Sequence, residues 1–139
     1  MIFGLGEKLG IDLPNDSSGN IPTPDYYDKV FGTNRWRALS IISIGIGQGE
    51  IQLTPLQMAN LAAIIANRGY FYTPHIVRAI GDKNSLNPRF TQRRQTGVEA
   101  RYFEPVVEGM YRVVEAGTAY NARLEGVSMC GKTGTAQNA

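Results

Sequence analysis

The 139 residues predict a mixed α/β fold, α+β in arrangement, with a sheet flanked by helices. Three observations carry that prediction. A strongly apolar helix is expected between Thr54 and Gly69. A second, amphipathic helix is expected from Phe103 to Val114. Residues 70–80 and 127–136 are rich in β-branched and aromatic or threonine side chains and are expected to be strands. An apolar content of 42% supplies enough side chain for a core, so the chain is not disordered by composition. The length fits one domain, or a large piece of one.

The elements follow in order. Residues 14–25 contain Pro14, Asn15, Asp16, Gly19, Pro22 and Pro24 and read as an exposed loop. Residues 26–53 are ambiguous, with apolar weight from Trp36 to Ile46 punctuated by Gly45, Gly47 and Gly49. Thr54 then suits an N-cap and Pro55 a first helical position. The run that follows is polar only at Gln57, Asn60, Asn67 and Arg68, so this helix is apolar on most of its surface and is expected to be buried in a core. Gly69 sits where a left-handed cap belongs. Pro74 interrupts the strand expected over 70–80. Residues 81–97 have no periodicity and read as a loop or a small polar hairpin. Phe103, Val106, Val107, Met110, Val113 and Val114 fall on one helical face, and Glu108 and Arg112 form an i,i+4 pair on the other. Gly117 is expected to close that helix. The strand over 127–136 carries Lys132.

The charge balance excludes some classes of function. A net charge of +2 is too small to argue for nucleic acid. Arg89, Arg93, Arg94 and Arg101 form a local basic cluster without aromatic interleaving, which reads as a solvated loop. Cys130 is alone and permits no internal disulfide, and His75 has no neighbouring cluster of ligands, so a metal site is not expected. No segment is long and apolar enough to span a bilayer, and the first residues do not read as a signal peptide. Met1-Ile-Phe-Gly-Leu-Gly reads as the middle of an apolar element. The chain is therefore expected to be a fragment of a larger protein, with one partial domain over residues 1–139.

The chemistry concentrates in Lys132-Thr133-Gly134-Thr135, which supports two readings. Gly126-Val-Ser-Met-Cys-Gly131-Lys132-Thr133 matches the phosphate-binding pattern G-x-x-x-x-G-K-[ST], which would make the protein a P-loop nucleotide hydrolase. That pattern needs a buried strand before Gly126 and a helix beginning at Lys132. Residues 121–125 are polar, Gly134 suits a helix poorly, and six residues follow Thr133. Alternatively, Lys-Thr-Gly is the third active-site element of serine transpeptidases and β-lactamases. There a lysine ammonium holds a carboxylate, glycine lets a peptide approach the backbone, and a strand N–H can face an oxyanion. Gly45-Ile-Gly-Gln-Gly49 fails the dinucleotide pattern G-x-G-x-x-G because Glu50 stands at its third glycine. It reads as a tight backbone path beside the apolar helix.

Six segments extend the second reading across the chain. Phe3-Gly-Leu-Gly-Glu-Lys-Leu-Gly-Ile-Asp-Leu-Pro14 resembles the segment beyond the second active-site motif of class B penicillin-binding proteins. Ser43-Ile-Gly-Ile-Gly-Gln-Gly49 and Leu53-Thr-Pro-Leu-Gln-Met-Ala59 resemble their approach to a buried helix, which Ala66-Asn-Arg-Gly69 ends. Gly117-Thr-Ala119 and Gly131-Lys-Thr-Gly-Thr-Ala-Gln137 resemble their third motif and its lead-in. Order and spacing agree from residue 2 to 138, most closely with the elongation-type branch.

The resemblance implies a peptidoglycan D,D-transpeptidase that cross-links stem peptides through an acyl-serine intermediate and is trapped by β-lactams. Lys132 would be catalytic, holding the substrate carboxylate and assisting proton movement. Thr133 and Thr135 would bind that carboxylate, the Thr135 N–H would be half of the oxyanion hole, and Gly134 would permit close approach. No cofactor is implied. Peptidoglycan stem peptides, β-lactams and cell-wall elongation proteins are the implied partners of a membrane-anchored, periplasmic parent.

The nucleophile is not in this chain. No serine stands three residues before a lysine, as Ser-x-x-Lys requires for activation by a lysine one turn away. Ser18-Gly19-Asn20 matches Ser-x-Asn but lies on the wrong side of the Phe3–Pro14 segment, so it reads as turn chemistry. The chain alone is expected to be inactive and to leave an open sheet edge near its C-terminus, with partial order there or pairing between copies. A non-catalytic relative that keeps the fold as a scaffold or sensor is the remaining alternative.

Overall fold

The computed structural model of the protein describes residues 3–81 and 86–134. Helix α2 (Pro55–Ala66) is the organising element. The Thr54 hydroxyl accepts from the Gln57 N–H at 3.1 Å, and the Gln57 side chain accepts from the Thr54 N–H at 2.9 Å, a reciprocal capping box. Its other end closes differently from the sequence expectation. The left-handed residue is Arg68 (φ 59), while Gly69 follows at φ 105. Gly69 N–H donates to the Ile64 carbonyl and Arg68 N–H to Ile65, the paired bonds of a Schellman ending. Glycine is needed at 69 for a second reason. A Cβ there would lie 2.8 Å from the Phe103 ring.

α2 enters the core along one face and leaves the rest of its surface exposed in this chain. Its inward face is Gln57, Asn60 and Ile64, whereas Leu56 and Met58 are exposed. Ile64 packs with Phe71 and Phe103 as the main core, flanked by Phe3 and Ile65. Burial of each such side chain contributes about 1.5–3 kcal/mol. The polar Gln57 is inside because its amide satisfies its own hydrogen bonds on backbone carbonyls there. The Nε2 group donates to the carbonyls of Gly4, Glu7 and Ser18 at 3.3, 3.1 and 2.8 Å.

The sheet is smaller than the sequence suggests. Strand β1 (Tyr70–Phe71) pairs antiparallel with β2 (Arg94–Gln95), with Phe71 opposite Arg94. The strand expected over 70–80 ends after Phe71. Pro74 has no N–H to give a ladder, and the Ile76 and Val77 N–H groups donate to the Asp12 carboxylate at 3.0 and 2.8 Å. Within the polar stretch 81–97, the described residues form a one-turn helix, α3 (Pro88–Thr91), and then β2.

Residues 24–53 hold two elements that periodicity did not resolve. Helix α1 (Pro24–Phe31) starts on a Thr23 cap, inside the stretch expected to be loop. It buries Tyr27 against Tyr26, Phe31 and Trp36. A 3₁₀ segment (Ala38–Ile46) then leads to a left-handed Gly47. Ser18-Gly19-Asn20, expected as turn chemistry, instead ties backbone segments together. Ser18 gives its carbonyl to Gln57, and Asn20 bridges to Gln52 and donates to the Glu50 carbonyl at 2.7 Å.

Helix α4 (Glu104–Glu115) follows the predicted face. Phe103 and Val114 are buried, Val107, Met110 and Val113 half-buried, and Val106 exposed. Glu108 and Arg112 pair at 2.7 Å. Arg68 clamps the start of α4 to the end of α2 through Glu104, at 2.8 and 3.3 Å. This pair raises the Arg68 pKa and lowers that of Glu104, each through the shared hydrogen bond. Among the described residues, no helix is long and apolar enough to cross a membrane.

Candidate active site

Lys132, Thr133 and Gly134 lie on an irregular segment laid along α4. The strand expected over 127–136 is absent from its described part, 127–134, and Thr135 and Ala136 lie outside the described residues. The reason is in the hydrogen bonds. No described strand lies beside this segment, and it docks on the helix instead. Gly131 N–H donates to the Met110 carbonyl at 3.0 Å, and the Cys130 thiol approaches the Val107 carbonyl at 3.8 Å. A Cβ at Gly131 would already be 3.3 Å from Val114, so a small residue lets the segment lie close. The open sheet edge expected here is not formed over 127–134.

Thr118 fixes the second point of this segment. Gly117 follows α4 so closely that a Cβ would lie 2.8 Å from the Val113 Cα. That turn brings the Thr118 hydroxyl to 2.9 Å from the Thr133 hydroxyl. The Lys132 ammonium donates to the Thr133 carbonyl at 2.6 Å and is exposed. An open pocket of about 290 Å³ lies beside it, lined by Ile46, Gln48, Lys132, Thr133 and Gly134. Three of the four sequence-predicted site residues are therefore together at one pocket. Thr135 is outside the described residues.

The pocket also gathers residues that sequence reasoning missed as site residues. Ile46 and Gln48 line it and Thr118 meets Thr133 beside it; all three lie in segments that resemble the family, but none is singled out there as a site residue. The signal was the glycine spacing, since Gly45, Gly47 and Gly49 surround the first two and Gly117 precedes the third. The phosphate-loop reading finds no support in the geometry. Residues 123–134 contain no helix or strand, so nothing feeds Gly126 as a core strand and Lys132 is not in a helix's first turn. Among the described residues, no three His, Cys, Asp or Glu side chains group as a metal site.

The family model for the penicillin-binding protein transpeptidase domain matches residues 2–139. The chain belongs to this family. This transpeptidase-domain chain is 35% identical over 143 residues to the peptidoglycan D,D-transpeptidase MrdA of Acinetobacter baumannii, covering 97% of the chain and 20% of that protein. It is 39% identical over 143 residues to penicillin-binding protein H of Bacillus subtilis, covering 97% of the chain and 18% of that protein. Its fold is similar to that in the complex between penicillin-binding protein 2 and MreC from Helicobacter pylori. The TM-score is 0.79 at 31% identity, over 99% of this chain and 25% of that one. The penicillin-binding transpeptidase chain thus spans about a fifth of the length of the curated relatives it matches. Mixed helix and sheet, as the sequence predicts, is the fold it shares with them.

Proposed function

We propose that this chain is the third-motif part of a peptidoglycan D,D-transpeptidase of the penicillin-binding protein 2 type. The observation that carries the reading is Lys132-Thr133-Gly134 at the mouth of an open pocket, within a chain 35% identical to a protein named for that activity. The full protein acylates a serine with the D-Ala-D-Ala end of a stem peptide and passes the acyl group to a neighbouring amine. β-Lactams mimic the donor and trap the acyl-enzyme.

Lys132 supplies positive charge for the donor carboxylate and biases proton transfer near the reacting serine. Thr133 and Thr135 hydrogen-bond that carboxylate, and the Thr135 N–H is half of an oxyanion hole. Gly134 leaves the backbone open for a peptide to lie against it. The serine nucleophile and its lysine come from outside these 139 residues, so the chain alone forms no acyl-enzyme. The full protein works at the periplasmic face of a membrane. Proteins of cell-wall elongation are its partners, a reading supported by the relative whose structure is a complex with MreC.

The test is intact-mass analysis of the full-length protein after exposure to a penicillin, with Lys132→Ala in parallel. Expected are a covalent adduct in the wild type and acylation slowed roughly 100-fold or more in the variant. A folded full-length protein that forms no adduct would refute the reading and favour a non-catalytic scaffold.

A further inference from the structure

The glycine-punctuated stretch before α2 has no role in the mechanism above, yet it forms one wall of the Lys132 pocket. Its backbone is closed on itself. Gln48 N–H donates to the Ser43 carbonyl at 3.0 Å, and Gly47 N–H donates to the Ile44 carbonyl at 2.9 Å. Gly47 and Gly49 are both left-handed, at φ 73 and 74. Gly49 is left-handed and a Cβ there would stand 2.5 Å from the Ser43 hydroxyl, so glycine is strongly favoured at this position.

This closed loop presents two side chains to the pocket. Ile46 is 75% exposed, a large apolar surface beside a lysine and a threonine. Gln48 is half-buried, and among the described residues its carboxamide has no hydrogen-bond partner. A half-buried carboxamide at an open pocket can exchange water for a ligand's hydrogen bonds.

We propose that Gln48 and Ile46 are specificity-determining residues that contact the acyl donor. This rests on the transpeptidase reading above. Lys132 and Thr133 face the donor's carboxylate end, where a cation and a hydroxyl suit an anion. Gln48 differs from them because it is neutral and offers both a donor and an acceptor. That pattern pairs with a secondary amide, which has one N–H and one C=O. The Gln48 carboxamide reads the peptide group on the acyl side of the scissile bond, and Ile46 packs on the apolar group attached to it. Ligands with an acyl-side amide are thereby favoured over ligands without one.

The test uses the full-length protein and two probes that share the β-lactam core. Benzylpenicillin has the acyl-side amide, and 6-aminopenicillanic acid has a bare amine instead. Second-order acylation rates are measured for the wild type, Gln48→Ala and Gln48→Met, the last keeping side-chain bulk if the shorter variant folds poorly. Losing a hydrogen-bonded amide is expected to lower the benzylpenicillin rate ~10-fold, with the 6-aminopenicillanic acid rate within ~2-fold of wild type. Ile46→Ser is expected to lower the benzylpenicillin rate ~5-fold by removing apolar contact. An unchanged ratio between probes overturns the proposal, and so does an equal fall in both rates with a lowered melting temperature. The latter would mean that Gln48 packs against the remainder of the protein. A wild type that forms no adduct with either probe overturns the transpeptidase reading itself.

Discussion

Gln57→Leu is the substitution with the largest expected effect on the fold. The side chain is fully buried, and its amide joins three backbone segments. Nε2 carries two hydrogens and has three carbonyls in reach, with Ser18 at 2.8 Å and Glu7 at 3.1 Å the better placed and Gly4 at 3.3 Å. Oε1 accepts from the Thr54 N–H at 2.9 Å. Leucine has a similar volume, so the cavity term is small and the polar term dominates. Two donated bonds and one accepted bond, at about 1 kcal/mol net each, predict a loss of about 3 kcal/mol. A domain's whole stability is about 5–15 kcal/mol, so the change is large. Urea unfolding followed by the single tryptophan, Trp36, and by far-UV circular dichroism measures it. Amide hydrogen exchange localises the effect, and residues 4–18 should lose protection well before α4. A loss under about 1 kcal/mol, or exchange that rises equally in α4, would refute the argument that one amide anchors the N-terminal loop.

Two further predictions concern positioning and pH. Thr118→Val removes the hydroxyl that meets Thr133 at 2.9 Å. In the full-length protein it should slow penicillin acylation roughly 3–10-fold while leaving stability within about 0.5 kcal/mol, because the pair is exposed. Thr118→Ser should restore the rate, and stopped-flow acylation of both variants decides the point. The second prediction concerns Asp12, whose pKa is held below its ordinary 3.8, chiefly by the Val77 N–H and then by Ile76, against desolvation. A lowered folded pKa means that its stabilisation is present above the ordinary carboxylate pKa and is lost as pH falls through the lowered value. Asp12→Asn should therefore flatten the acid limb of the stability–pH curve below about pH 4, a change read from urea midpoints at stepped pH.

The structure also explains why the sequence was legible in some places and not in others. α2 and α4 were readable because capping and helical periodicity are local. Thr54, Pro55 and Gln57 dictate their own hydrogen bonds within one turn, and Phe103 and Val114 share a face by geometry alone. α1 was missed although Thr23 and Pro24 mark its start, because the prolines around them read as loop. The strands were overestimated. β-Branched content says that a segment fits a sheet, whereas a sheet exists only if another strand lies alongside. Val77 and Gly131 each found another partner, a carboxylate in one case and a helix carbonyl in the other.

The sequence by itself determined α2 and α4, the mixed fold class and the family, since Lys132-Thr133-Gly134 and the spacing of its companion segments are one-dimensional facts. Only the tertiary structure decided which side of α2 faces inward. Apolar content placed the whole helix in a core, but a helix buries only the faces that something covers, and here Gln57 and Asn60 are covered while Leu56 and Met58 are not. Tertiary structure also brought Ile46 and Gln48 to the Lys132 pocket and Thr118 to Thr133 beside it. More than eighty residues of chain separate Gln48 from Lys132. Their meeting depends on how the Gly47 turn and the segment docked along α4 pack together, and no local pattern encodes that approach.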